Sequence, residues 1–123
     1  MLAPQDPRLH ESLGRLYSFQ GRDSEALSQY QGMRELSPGE PYSHWLLGRY
    51  YSRRKRFAEA EEHFAQAAKL FPYSSGIRTE LAQAYYQQGK FEQARAELEA
   101  ALKIFPLSPV LNWNLQQVVR KKG

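Results

Sequence analysis

The chain contains no cysteine among its 123 residues. A disulfide framework, a thiolate metal site and a cysteine nucleophile are therefore excluded, while the compartment stays open. No apolar run approaches the ~20 residues of a membrane-spanning helix. The opening residues lack the basic-then-apolar layout of a signal peptide. Neither a G-x-G-x-x-G fingerprint nor a P-loop pattern occurs. Excess charge of one sign is scarce as well: 17 Lys and Arg face 13 Asp and Glu, a net +4. With a pI near 9.4, this leans slightly toward acidic partners and is too little to make nucleic acid the expected ligand. What remains is 41% hydrophobic and 24% charged, of a length that suits one domain.

What is present is a period. Gly14, Gly48 and Ala82 stand at a constant step of 34 residues. Tyr17, Tyr51 and Tyr85 keep that step, as do Ala26, Ala60 and Ala94. Leu36, Leu70 and Ile104 follow it, and so do Pro38, Pro72 and Pro106. Self-similarity at this spacing marks stacked supersecondary units, each of which buries its apolar face only against its neighbours.

The first unit runs His10, Leu13, Gly14, Tyr17, Ala26, Tyr30, Pro38. The second runs His44, Leu47, Gly48, Tyr51, Ala60, Phe64, Pro72, and the third Arg78, Leu81, Ala82, Tyr85, Ala94, Leu98, Pro106. These residues resemble the tetratricopeptide repeat family, whose units carry an aromatic, L-G-x-x-Y, A-x-x-x-F and a closing Pro. The departure is the leading aromatic, replaced by His10, His44 and Arg78. The resemblance implies an all-α, right-handed superhelical solenoid of helix-turn-helix repeats. Repeats are expected over residues 7–40, 41–74 and 75–108, with a capping helix over 109–123. Leu2 and Pro4 fall one period before Leu36 and Pro38. Residues 1–6 are thus either the tail of a preceding repeat or an N-terminus with a chance match.

Helices are expected at about Pro7–Gln20, Asp23–Leu36, Pro41–Arg54, Phe57–Phe71, Ser75–Gln88 and Phe91–Phe105, with a last one opening at Ser108-Pro109. Asp6 is the expected N-cap of the first, with Pro7 in its first turn. Leu9, Leu13, Leu16 and Tyr17 fall on one face of it. Gly21 ends that helix, and Ser37-Pro38-Gly39 stops the second. Gly14, Gly48 and Ala82 are expected where paired helices cross closely, against Ala26, Ala60 and Ala94. Gln116 occupies that slot in the last helix, as suits a cap with nothing covering it.

Candidates for chemistry are few. His10 and His44 share a slot, but no further ligand repeats with them to complete a metal site. They are expected to pack at the interface of the first helices, and His63 to lie on the outer face. Glu59, Glu61, Glu62, Glu97 and Glu99 suit a solvated convex face rather than a catalytic pair. Arg53-Arg54-Lys55-Arg56 complements a helix C-terminus. No catalytic residue, cofactor or metal is expected, so the chain is not expected to be an enzyme.

The family resemblance implies that the first helix of each repeat lines a concave groove. Counting inward positions nominates Arg8, Glu11, Ser12, Arg15 and Phe19 in the first unit and Tyr42, Trp45, Leu46, Arg49 and Arg53 in the second. The third adds Gly76, Thr79, Glu80, Gln83 and Tyr86, and the cap Trp113, Asn114 and Gln117. Of these, Arg15, Phe19, Tyr42, Trp45, Arg49, Arg53, Gln83, Tyr86 and Trp113 are the candidate contacts. Guanidinium groups beside aromatics suit an extended segment carrying carboxylates and apolar side chains. Repeats that clamp chaperone C-terminal carboxylates use Lys, Asn and Arg at set positions. Here those positions hold Glu11, Arg15, Leu46, Gly76 and Glu80, or Trp45, Arg49, Glu80, Val110 and Asn114 one repeat on, so that clamp is not expected. The expected function is a protein-interaction module binding a peptide or partner helix in the groove, as a monomer or with weak self-association through its end faces. The alternative is a structural spacer within a longer array. An accessory domain of an enzyme is a third reading.

Overall fold

The computed structural model describes residues 6–36 and 41–122. The tail at residues 1–5 and the Ser37-Pro38-Gly39 stop lie outside them. The described residues form seven helices and no strand: α1 (Pro7–Phe19), α2 (Asp23–Leu36), α3 (Pro41–Arg53), α4 (Phe57–Leu70), α5 (Ser75–Gln87), α6 (Phe91–Ile104) and α7 (Pro109–Lys122). Five of them end one residue before the expected point.

Local chemistry sets the ends. Asp6 accepts the Arg8 backbone N–H at 2.9 Å, and the Arg8 guanidinium beside it holds its carboxyl below the usual range. Ser74 Oγ caps α5 by accepting from Ile77 N at 3.2 Å. Ser108 Oγ does the same for Leu111 N at 3.3 Å on α7.

The turn inside each hairpin is one motif used three times. Arg22, Arg56 and Lys90 donate their N–H groups to Tyr17 O, Tyr51 O and Tyr85 O at 2.8, 2.9 and 2.9 Å. Gly21, Lys55 and Gly89 donate to Ser18 O, Ser52 O and Tyr86 O at 3.1, 3.0 and 3.0 Å. This Schellman pattern needs a left-handed residue at its second-last position. Gly21 (φ 74°) and Gly89 (φ 77°) supply it, and so does Lys55 (φ 61°).

The core is spread along the stack. Ala26, Tyr30, Met33, Leu46, Leu47 and Tyr50 join α2 to α3. Phe64, Ala67, Ile77, Leu81 and Ala84 join α4 to α5, and Ala82, Leu98, Ala101, Leu111 and Val118 join α5, α6 and α7. Each buried side chain of Phe or Leu size contributes about 1.5–3 kcal/mol.

Four expectations are corrected. First, the nearest side chains to the two small-slot glycines are aromatic rings, ahead of the facing alanines. A methyl on Gly48 would lie 2.6 Å from Phe64 Cδ1, and Gly14 crowds Tyr30 in the same way. Second, Leu16 is 49% exposed, whereas Tyr50, Ala84 and Val118 in its slot are buried. That face of α3, α5 and α7 packs on a preceding helix, and α1 has none among the described residues. Third, Glu61 and Glu97 are not simply solvated. Glu61 accepts from Gln88 Nε2 at 2.8 Å and Lys90 Nζ at 2.9 Å, and Glu97 accepts from Arg78 Nη1 at 2.9 Å.

Fourth, His63 does not lie on an outer face. It is half-buried against His44, Nδ1 to Nδ1 3.3 Å, and stacks on Tyr51. This contact belongs to a series in which each leading-slot residue meets the side chain 19 positions on: His10 with Gln29, His44 with His63, Arg78 with Glu97. The leading slot therefore faces the second helix of its own hairpin.

Candidate functional site

The candidate contacts fall into two depressions. The first, about 260 Å³, is lined from α1 by Arg15, Ser18 and Phe19 and from α3 by Tyr42, Trp45, Leu46, Arg49 and Arg53, with Tyr30 behind. The second, about 210 Å³, collects Gln83 and Tyr86 of α5 with Trp113, Asn114 and Gln117 of α7. Helical spacing explains both groups. Trp45, Arg49 and Arg53 are successive i,i+4 neighbours, as are Arg15 and Phe19, so each helix turns one row toward the channel.

Leu46 is the nominee that the structure turns inward. It is 6% exposed and belongs to the core with Leu47 and Tyr50, so it closes the floor of the first depression rather than presenting a contact. At the opposite extreme, Phe19 is 92% and Trp113 61% exposed. Trp45 lies between these limits: its ring packs on Tyr42 at 5.1 Å between centroids, and its Nε1 donates to Glu80 Oε1 at 2.9 Å.

The first depression mixes charges. Arg49 sits 4.8 Å from the Trp45 ring centroid and 3.8 Å from Glu80 Oε2. Arg15 reaches Glu11 Oε1 at 3.5 Å. Arg53 donates to Ser18 Oγ at 2.7 Å and faces no carboxylate within ion-pair reach among the described residues. Burial pushes the Glu80 carboxyl up, against the pull of its Trp45 bond and of Arg49. Burial also raises Tyr42, whose hydroxyl meets the Glu11 carboxylate, and Tyr30. The row of channel arginines is thus interrupted by two acids, and Arg53 is its least compensated member.

Of these partners, Glu80 is among the counted inward positions, and Ser18 is the one that counting missed. Both bonds span 35 residues, one period plus one position. A residue reaching across to the neighbouring first helix therefore meets the position next to its own slot.

Arg54 and Arg56 form ion pairs outside the first depression, although Arg54 shares an adjoining one of about 410 Å³ with Ser18, Asp23, Tyr50 and Arg53. Arg54 pairs with Asp23 and lies 5.4 Å from the Tyr50 ring centroid, and Arg56 pairs with Glu59. No group of three or more metal-ligating side chains occurs among the described residues. No described helix is long and apolar enough to cross a membrane.

Hairpins stacked in one direction, with a core shared only between neighbours, define an all-α helical-repeat solenoid. The chain belongs to the tetratricopeptide repeat family, whose sequence profiles match residues 51–115 and 11–75, each more than half of the 123 positions. No curated protein matches it. Among solved structures it is similar to the first TPR of Spaghetti (RPAP3) bound to the HSP90 peptide SRMEEVD. That match has 22% identity and a TM-score of 0.85, over 98% of this chain and 95% of that one. It is also similar to the Yersinia enterocolitica type III secretion chaperone SycD in complex with a peptide of the translocator YopD. There the identity is 16% and the TM-score 0.83, over 94% of each chain. The Arabidopsis OM64 TPR domain matches at 12% identity and a TM-score of 0.82, over 94% of this chain and 95% of that one.

Proposed function

We propose that the chain is a non-catalytic protein-interaction module that takes an extended acidic-aromatic peptide segment along the channel between its first-of-hairpin helices. The observation that carries this reading is the first depression, where Arg15, Arg49 and Arg53 stand beside exposed Phe19 and half-buried Trp45. Such a surface rewards a ligand carboxylate and a ligand ring together. The peptide complexes among proteins of the same fold support a peptide ligand. They do not supply its sequence, because Leu46 is in the core and Glu80 is tied to Trp45 where carboxylate-clamp repeats need donors. On this reading the three repeats are residues 7–40, 41–74 and 75–108, with 109–123 as the cap.

The test is selection of peptides from a random library on the immobilised chain, followed by calorimetric titration. Enriched peptides should carry acidic and aromatic residues. The paired change Arg49→Gln and Arg53→Gln should weaken them at least ~10-fold, the scale of 1.4 kcal/mol. Arg54→Gln with Arg56→Gln removes equal charge from groups already paired with Asp23 and Glu59 and should change affinity less than threefold. Raising salt should weaken binding only in part, by screening the carboxylate contacts. Loss of binding in the Arg54/Arg56 variant with retention in the Arg49/Arg53 variant would overturn the groove assignment.

One observation favours the rival reading of a structural segment in a longer array. Leu16 is exposed on the face of α1 whose counterparts in α3, α5 and α7 are covered by a preceding helix. A library that yields no ligand would point to that reading.

A further inference from the structure

We propose that the His44–His63 contact is a proton-sensitive latch of the central hairpin, holding α3 to α4 while at least one imidazole is neutral and opening when both are protonated. The two Nδ1 atoms face each other at 3.3 Å, with ring centroids 5.6 Å apart. Two imidazole nitrogens at that distance bond only if one carries the proton and the other offers its lone pair. A first added proton goes to an outward Nε2 and leaves the N–H···N bond in place. A second leaves two N–H donors facing each other with no acceptor, and two like charges within hydrogen-bond distance.

The surroundings sharpen this. From α2, Arg34 adds a positive charge that opposes protonation of both rings. From α4, Glu62 favours protonation of both, and Glu59 that of His63. From α3, the Tyr51 ring stacks on His63 at 5.5 Å with 7° between planes, and the guanidinium of Arg56, at the N-cap of α4, lies 5.5 Å from the Tyr51 centroid. Burial leads in lowering both imidazoles below their ordinary value, and for His63 the neighbouring His44 adds to it. The unfolded chain then binds more protons than the folded one. Stability is fully present above the ordinary histidine value of about 6.5 and is lost as pH falls through and below it. Glu80 acts with the opposite sign, since its folded value is raised, and cannot imitate the effect.

The other hairpins serve as internal controls. In α1–α2 the same slot pairs His10 Nδ1 with Gln29 Oε1 at 2.8 Å, and an amide oxygen still accepts from a protonated ring. In α5–α6 it holds the Arg78–Glu97 ion pair. Because α3 also carries Trp45, Arg49 and Arg53, loosening the latch would disturb the middle of the channel.

The test compares thermal melting at pH 7.5 and 5.5 for the parent chain and for His63→Gln, which copies the His10–Gln29 pairing. The parent should lose ~5 °C, which corresponds to about 1–2 kcal/mol for a domain of this size. His63→Gln should lose less than half as much. In the parent, the His44 and His63 ring protons followed by NMR should titrate below pH 6.5, and amide protection in α3 and α4 should fall at pH 5.5 more than in α6. Equal pH dependence of the two chains, or titration of both rings at the value of free histidine, would overturn the proposal. The ring titration decides the matter even if the variant fails to fold.

Discussion

The central hairpin α3–α4 and the next one, α5–α6, occupy the same slots with different residues. In the first, Gly48 faces the buried ring of Phe64 so closely that a Cβ there would force the ring to shift. In the second, Ala82 and Leu98 stand at those positions, both buried in one cluster. A methyl gained on one helix is matched by a smaller side chain on the other. The polar slot changes likewise, from His44 with His63 to Arg78 with Glu97. The turn changes from Lys55 to Gly89 without leaving the left-handed region. Channel position Arg49 becomes Gln83. What the two hairpins share is summed volume, paired polarity and backbone conformation at each slot, rather than residue identity. Close packing requires the first, hydrogen-bond satisfaction the second, and the Schellman turn the third.

The largest break in this equivalence should come from Gly48→Leu, which has no room beside Phe64. We expect a loss of about 3 kcal/mol in urea unfolding through overpacking. Protection of amides should fall in α2 and α5 as well, because neighbouring hairpins share their core. A variant that unfolds like the parent would refute the close crossing.

A gentler test moves one hairpin toward the other. Gly48→Ala alone should cost about 1–2 kcal/mol. Combined with Phe64→Leu, it recreates the Ala82/Leu98 pairing. The double-mutant cycle should then show a favourable coupling of about 1 kcal/mol. Additive costs would mean that the volumes at the two positions are set independently.

The smallest effect belongs to the turn. Lys55→Gly should leave stability unchanged or raise it by up to about 1 kcal/mol, whereas Gly89→Ala should lower it by a similar amount. Nothing lies within 4 Å of a Cβ built on Gly89, so that cost would be conformational and not steric contact with neighbours. A clear fall in melting temperature for Lys55→Gly would contradict the left-handed assignment at that position.

The hairpins, their turns and the identity of the small slots were legible in the sequence, since a fixed period aligns residues doing the same local job. The opponents of those residues were not. Gly48 was expected against Ala60 and meets Phe64. His63 was expected in solvent and meets His44. Both errors have one source: the period says which positions are equivalent, but not which residue of the second helix faces a given residue of the first. That offset, 19 positions in all three leading-slot pairs, depends on how far the left-handed turn rotates one helix against the other. The candidate channel was legible to the same degree. Its rows followed from helical spacing, whereas Leu46 facing the core and Glu80 interrupting the arginines depended on how α3 and α5 sit side by side.

By itself, the sequence determined the all-α repeat architecture. Helical spacing, caps and turn residues act over a few positions, and their recurrence every 34 residues leaves stacking as the way to bury each apolar face. Only the tertiary structure decided the pairings: which ring fills which small slot, which imidazole meets which, and which arginine of the channel keeps its charge uncompensated. Those contacts join residues 16 to 35 positions apart. Their existence depends on the crossing of two helices, which no local pattern encodes.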